Sequence, residues 1–188
     1  MTRYELFLRE TRTYEIIEDV KNFRSEIGVL FLNSYNRDVL TKMFDDNRLT
    51  YTSLFKARPH IFVSKSNPLA KHEVVSLEDL EDFPYLSYDQ GIHNSFYYSE
   101  EILSQIPHKK SIVVSDRATL FNLLIGLDGY TIATGILNSN LNGDNIVSIP
   151  LDIDDEIDIV YLKHEKATLS KMGEKFLDNL VKEVTFDN

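Results

Sequence analysis

Two rhythms of apolar and polar residues run through this chain and predict alternating strands and helices. Residues 4–8, YELFL, predict a short strand, and residues 14–23 predict an amphipathic helix with Ile16, Ile17, Val20 and Phe23 at helical spacing. EIGVLFL, over 26–32, is continuously apolar, the pattern of a strand covered on both faces in a parallel sheet. A short helix is predicted over 37–44. Residues 49–64 are rich in Thr, Tyr, Phe, Ile and Val without a helical period, and predict one or two strands that carry the chain from one part of the fold to another. Ser66-Asn67-Pro68 stops them, because proline offers no ladder donor and Asn and Ser favour turns. Ser76 then suits the N-cap of a short helix, LEDLEDF, with Glu78 and Asp79 at its positive end and Pro84 terminating it.

A brief strand at 85–88 follows, and Asp89-Gln90-Gly91 forms a polar turn at its carboxyl end, the side on which ligands collect in open α/β sheets. Residues 96–106 predict an aromatic-rich helix and 109–115 a strand. Asp116 caps a helix, ATLFNLLIGLD, whose apolar residues fill more than one face, so its burial is expected. Gly126, Gly129 and Gly135 punctuate a strand over 130–134, where glycine permits tight turns and close backbone approach. Strands at 146–150 and 157–162 flank LDIDDE, and the second would return the chain to where it began. A helix over 169–184, with Met172, Phe176, Leu177, Leu180 and Val184 on one face, closes the chain.

Composition narrows the classes. A chain of 188 residues that is 43% hydrophobic can build one large domain or two small lobes. No apolar run approaches the roughly 18 residues that cross a bilayer, and no basic segment followed by an apolar one opens the sequence, so a cytoplasmic location is expected. Cysteine is absent, which removes disulfides, thiolate zinc sites and a cysteine nucleophile. The net charge of −10 repels phosphate backbones, so this chain alone should not hold DNA.

The same residues hold none of the common enzymatic motifs. There is no GxSxG, GxGxxG or phosphate-binding lysine loop. The five histidines show no HExxH spacing, and an EF-hand loop starting at Asp152 would need glycine at Ile157 and glutamate at Lys163. No metal or cofactor is expected. Binding candidates stand out instead. Thr11 and Thr13 lie in a hydroxyl-rich strand-to-helix turn that either binds an anion or merely caps the helix. Asn33 leaves an apolar strand at its carboxyl end. Ser87, Tyr88, Asp89 and Gln90 combine a short strand with an irregular polar turn. Phe96, Tyr97 and Tyr98 suit packing better than ligand stacking.

The order of a long strand, SNPLA, VSLEDLEDFP and YLSYDQG resembles the effector-binding domain of the LysR-type transcriptional regulators, most specifically from Ser66 to Pro84. YLKHEKATLSKMGEKFLDNL resembles that family's last strand and closing helix. GLDGYTIATG resembles its glycine-flanked strand beside the effector, with an extra residue and no proline. The family's first strand and helix, and its basic helix-turn-helix, have no counterpart here.

This resemblance implies an α/β, two-lobed fold of the type 2 periplasmic-binding-protein kind with two crossing segments. Residues 1–58 and 160–188 would form one regulatory subdomain and 59–159 the other. It implies an effector-sensing domain and not an enzyme, binding a small metabolite between the lobes, with DNA reached only through the absent domain and a homodimer or higher homo-oligomer expected. Ser87, Tyr88, Asp89 and Gln90 match cleft positions, and Thr134 and Gly135 match the variant ending in Thr-Gly, which points to an amino acid or a sulfur-metabolism precursor. Few basic residues lie near, so the site suits a neutral or zwitterionic ligand, with Arg12 the nearest partner for a carboxylate. A solute-binding protein or an enzyme on the same scaffold are the rivals. Convergent hydroxyls without a strongly perturbed titratable group would favour binding.

Overall fold

A computed structural model describes residues 4–93, 95–137 and 144–186. Helix α1 (Thr13–Lys21) leads into β1 (Gly28–Leu32), and α2 (Arg37–Asp46) into β2 (Leu49–Ala57). Then come β3 (His60–Ser64), β4 (Tyr85–Tyr88), β5 (Ser111–Val114), α3 (Arg117–Gly126), β6 (Tyr130–Ala133) and β7 (Ile146–Pro150). The chain closes with β8 (Ile157–His164) and α4 (Lys171–Phe186).

The strands form two sheets. One has three strands in the order β1-β8-β2, and the other five in the order β5-β4-β6-β3-β7. The long apolar stretch divides at Arg58-Pro59 because proline cannot continue the ladder, so β2 lies in the first sheet and β3 in the second. The chain leaves the second sheet beside the place where it arrived, since His60 of β3 pairs with Pro150 of β7. These two crossings are bonded to each other: Leu151 N–H donates to the Pro59 carbonyl at 3.0 Å. Val75 brackets the return crossing, its N–H donating to Pro150 at 3.0 Å and its carbonyl accepting from Asp152 at 2.8 Å.

Each sheet has its own apolar packing. Ile17, Val20, Leu40, Phe44, Val160 and Leu162 enclose the first sheet. Helix α1 sits so close to β1 that a Cβ on Gly28 would lie 2.6 Å from the Ile16 Cγ2, so only glycine admits this approach. In the second sheet, Ile61, Val63, Tyr85, Tyr130 and Ile132 fill one face. Phe62, Leu86 and Val114 fill the other, beneath Leu120 and Leu124 of α3.

Several expectations are corrected. Residues 4–8 form no strand, and Tyr4, Leu6, Phe7 and Leu8 are exposed, because no described strand lies beside them to supply hydrogen bonds. The apolar run before α2 is not in a parallel sheet: β1 pairs antiparallel with β8, and alternate residues are fully buried. The helix after Ser76 is a single 3₁₀ turn, Glu78–Leu80, although the Ser76 hydroxyl and Asp79 carboxylate do cap one another's backbone N–H groups. Residues 96–106 hold only the 3₁₀ turn Phe96–Tyr98, and Leu103 has φ of 61°, incompatible with a continuous helix. Helix α3 is not buried all round, since Ile125 is exposed while Leu120 and Leu124 face inward.

Leu162 lies on the central strand of the first sheet with no solvent exposure. Leu162→Ala is expected to cost about 2–5 kcal/mol, read from urea unfolding midpoints.

Candidate functional site

The carboxyl ends of the parallel strands β4, β5 and β6 all point toward the crossings, since Ala133 of β6 pairs with His60 at the start of β3. The polar turns after β4 and β6 therefore meet the first lobe across a crevice.

Arg12, the N-cap residue of α1, reaches over that crevice. Its Nε donates to the Asp89 carbonyl and its Nη2 to the Asp89 carboxylate, both at 2.8 Å. Gly91 has φ of 62°, which favours glycine, and a Cβ there would sit 2.8 Å from the Arg12 Nη1 and push the guanidinium aside. Glu10 pairs with Arg117 of α3. Aromatic contacts add to these: Tyr14 stacks on His93 with centroids 3.5 Å apart, and Tyr35 on Tyr97 at 4.8 Å. Tyr98 turns its edge to Tyr14 and donates its hydroxyl to the Met43 sulfur at 3.6 Å. This explains why Phe96–Tyr98 is not part of a long helix: its tyrosines are used across the crevice.

The nine predicted contact residues fall into separate groups. Thr11 and Gln90 line a groove of about 430 Å³, together with Arg9, Arg12, Tyr14 and His93. Thr11 is no helix cap, since its hydroxyl donates to the Glu15 carboxylate, and Thr13 is buried at the first turn without capping it either. Asp89 is engaged by Arg12 and by the Gly91 N–H. Asn33 is buried and committed: its Oδ1 accepts from the N–H groups of Tyr35 and Asn36, and its Nδ2 donates to Asp155 of the return crossing at 3.2 Å. Ser87 and Tyr88 occupy opposite faces of the sheet, Tyr88 beneath α3 and Ser87 on the side of Tyr85. Thr134 immediately follows β6 and its hydroxyl accepts from the Ile136 N–H, and Gly135, with φ of 82°, lies against the His60 ring.

Reading the sequence missed Glu101. It is 4% exposed, and its Oε1 accepts the Tyr88 N–H at 2.7 Å. Burial pushes its pKa up to about 8, the neighbouring Glu100 adds to the rise, and the Tyr88 hydrogen bond opposes it. Glu100 is raised too, chiefly by burial, while a hydrogen bond from Gln90 lowers it. Burial likewise lifts the Tyr88 phenol to about 12. A strongly perturbed acid beside the crevice would satisfy one condition for catalysis. The Glu101 carboxyl, however, is bonded to a backbone amide, and no hydroxyl nucleophile is hydrogen-bonded to it among the described residues. In the sequence it was one of two adjacent glutamates in an acidic chain, with nothing to set it apart.

Two lobes, each on its own sheet, joined at one corner by adjacent crossings and presenting polar strand ends to each other, define a bilobal ligand-binding domain. The LysR substrate binding domain family matches residues 3–185, and the chain belongs to that family. HinK, a LysR family transcriptional regulator from Pseudomonas aeruginosa, is similar with a TM-score of 0.62 and 16% identity, over 93% of this chain and 58% of that one. This chain thus spans less than two thirds of that regulator. The QuiR effector-binding domain, solved with shikimate, gives 0.59 and 18% over 92% of this chain and 78% of its own. The BenM effector-binding domain, solved with benzoate, gives 0.60 and 19% over 94% and 76%. At these identities the likeness speaks for the fold. No curated protein matches the sequence. Among the described residues no helix is long and apolar enough to cross a membrane.

Folding raises the Glu101 pKa above the ordinary 4.5, so the folded chain retains a proton that the unfolded chain releases. That contribution is complete below pH 4.5 and is lost as pH rises through about 8. The melting temperature is expected to fall over this range. Glu101→Gln, which cannot ionise, should flatten the decline by on the order of 3 °C or more, measured by calorimetry at pH 6 and pH 9.

Proposed function

We propose that this is the effector-sensing domain of a LysR-type transcriptional regulator. A small metabolite enters the crevice between the lobes, and its preference for one lobe arrangement shifts the population of states. A helix-turn-helix domain outside these 188 residues reads out that shift at DNA. The observation that carries this reading is the meeting of polar strand ends from the second lobe with Arg12 of the first. The lobes correspond to residues 1–58 with 160–188 and to 59–159; the unbroken strand β8 favours setting the second boundary just ahead of Ile157.

The domain binds and does not catalyse, works in the cytoplasm, and assembles as a homodimer or higher homo-oligomer. Its effector is a neutral or zwitterionic small molecule, an amino acid or a sulfur-metabolism precursor, contacted by Thr11, Thr13, Asn33, Ser87, Tyr88, Asp89, Gln90, Thr134 and Gly135. Arg12 and Asp89 already neutralise each other, which suits a ligand of no net charge.

A thermal-shift screen of amino acids, sulfur-metabolite precursors and small acids tests this. A true effector at about 100 times its Kd should stabilise the domain by about 2.7 kcal/mol. Ser87→Ala and Thr134→Val should each weaken its binding by about 0.5–1.5 kcal/mol, read by calorimetric titration. A screen in which no compound raises the melting temperature at millimolar concentration overturns the reading.

A further inference from the structure

Strands β4 and β6 begin as a parallel pair and then separate. The Tyr130 N–H donates to the Pro84 carbonyl at 2.9 Å, and the register of the pair is limited to Tyr85 opposite Tyr130. On the other side β4 stays paired with β5 throughout: the Tyr85 N–H reaches Lys110 at 2.9 Å and the Asp89 N–H reaches Val114 at 2.8 Å. Alternate amides of a strand face opposite neighbours, so the Tyr88 N–H faces β6. Had the ladder continued, a β6 carbonyl would accept it. The Glu101 carboxyl accepts it instead, at 2.7 Å, filling the place of a backbone acceptor between the two strand ends.

The gap lies where α/β sheets collect ligands, at the carboxyl ends of adjacent parallel strands. Ser87 precedes the amide in β4, and its hydroxyl has no hydrogen-bond partner among the described residues. Thr134 immediately follows the facing strand. Glu101 arrives from outside the regular structure, on a segment of turns that includes the left-handed Leu103. Burying an ionisable carboxyl costs free energy unless it stays protonated or fully bonded, so an acid with better bonding could displace it.

The geometry points to a carboxylate subsite between the ends of β4 and β6, occupied in this state by the Glu101 carboxyl as a built-in substitute for the acidic group of an effector. The ligand class is a small carboxylic acid, whose carboxyl takes the Tyr88 N–H while Glu101 swings out. The contact is autoinhibitory, because an effector must displace Glu101 to bind. Its role rests on the effector-sensing reading above; its geometry does not. The ionisable groups facing Glu101 are Glu100, Tyr85 and Tyr88, and Glu100 in turn faces Glu10, Arg12 and Arg117.

Chemical rescue tests it. Glu101→Ala leaves a carboxyl-sized space at the Tyr88 amide. Acetate at about 0.1 M should raise the melting temperature of that variant by about 3 °C relative to chloride at equal ionic strength, and should move its Tyr88 amide resonance. Wild type and Glu101→Gln, whose subsites are filled, should show neither change. Acetate acting equally on all three proteins, or on none, overturns the subsite. Should Glu101→Ala fail to fold, the wild-type Tyr88 amide resonance decides: it should titrate with Glu101 near pH 8 and not in Glu101→Gln, and a resonance that ignores pH overturns the contact. The two readings fail separately. A blank metabolite screen leaves acetate rescue intact, and failed rescue leaves a screen hit intact.

Discussion

The second sheet hangs from the first at one corner. The chain arrives through Arg58-Pro59 and returns after Pro150, and because His60 and Pro150 are register partners, the two connections run side by side and bond to each other. A joint of this kind fixes where the lobes meet without fixing the angle between them. Among the described residues, further contacts join the lobes: Arg12 with Asp89, Glu10 with Arg117, Tyr14 with His93 and Tyr98, Tyr35 with Tyr97, Tyr98 with Met43, and Phe31 and Ile159 with the core around Ile61. The charged pairs are largely solvated, and such pairs contribute about 0–1 kcal/mol each. A hydrogen-bonded backbone joint bridged by weak contacts is suited to two nearly balanced lobe arrangements.

Charge is distributed in keeping with that role. The chain carries a net charge of −10, yet basic side chains gather at the crevice, where Arg12 and Arg117 each meet an acidic partner from the other lobe. Glu100 and Glu101 sit just behind them, held toward the neutral form mainly by burial. The crevice is thus crossed by paired charges within an acidic protein.

Much of the architecture was legible because it depends on local rules. The stops at Ser66-Asn67-Pro68 and Pro84, the capping of α3 by Asp116 through the Thr119 N–H at 2.8 Å, and the brief strand before Asp89 follow from proline, side-chain oxygens and β-branched or aromatic runs. The failures share a cause. Residues 4–8 have a strand's composition, but a strand exists only beside another. Residues 96–106 have a helix's composition, but Tyr97 and Tyr98 are held by contacts across the crevice and Glu101 by the Tyr88 N–H of its own lobe instead of by helical hydrogen bonds. The apolar run of β1 implied cover on both faces in a parallel sheet, whereas β8, returning from the second lobe, pairs with it antiparallel.

Among the site residues the same division holds. The polar character of Thr11, Asn33, Ser87, Gln90 and Thr134 can be read one residue at a time, and so can the need for glycine at positions 91 and 135. Which of them share a space cannot. Asn33 is spent on the start of α2 and on Asp155, Asp89 on Arg12, and Tyr88 turns under α3 while Ser87 turns away. Sequence by itself set the α/β alternation, the two crossings and the family, because these rest on periodicity and on turn chemistry confined to neighbouring residues. Only the tertiary structure could separate β4 from β6 and bring Glu101 between them, because that contact joins groups 13 residues apart whose proximity depends on how the second lobe packs and on what its interior does to a carboxylate.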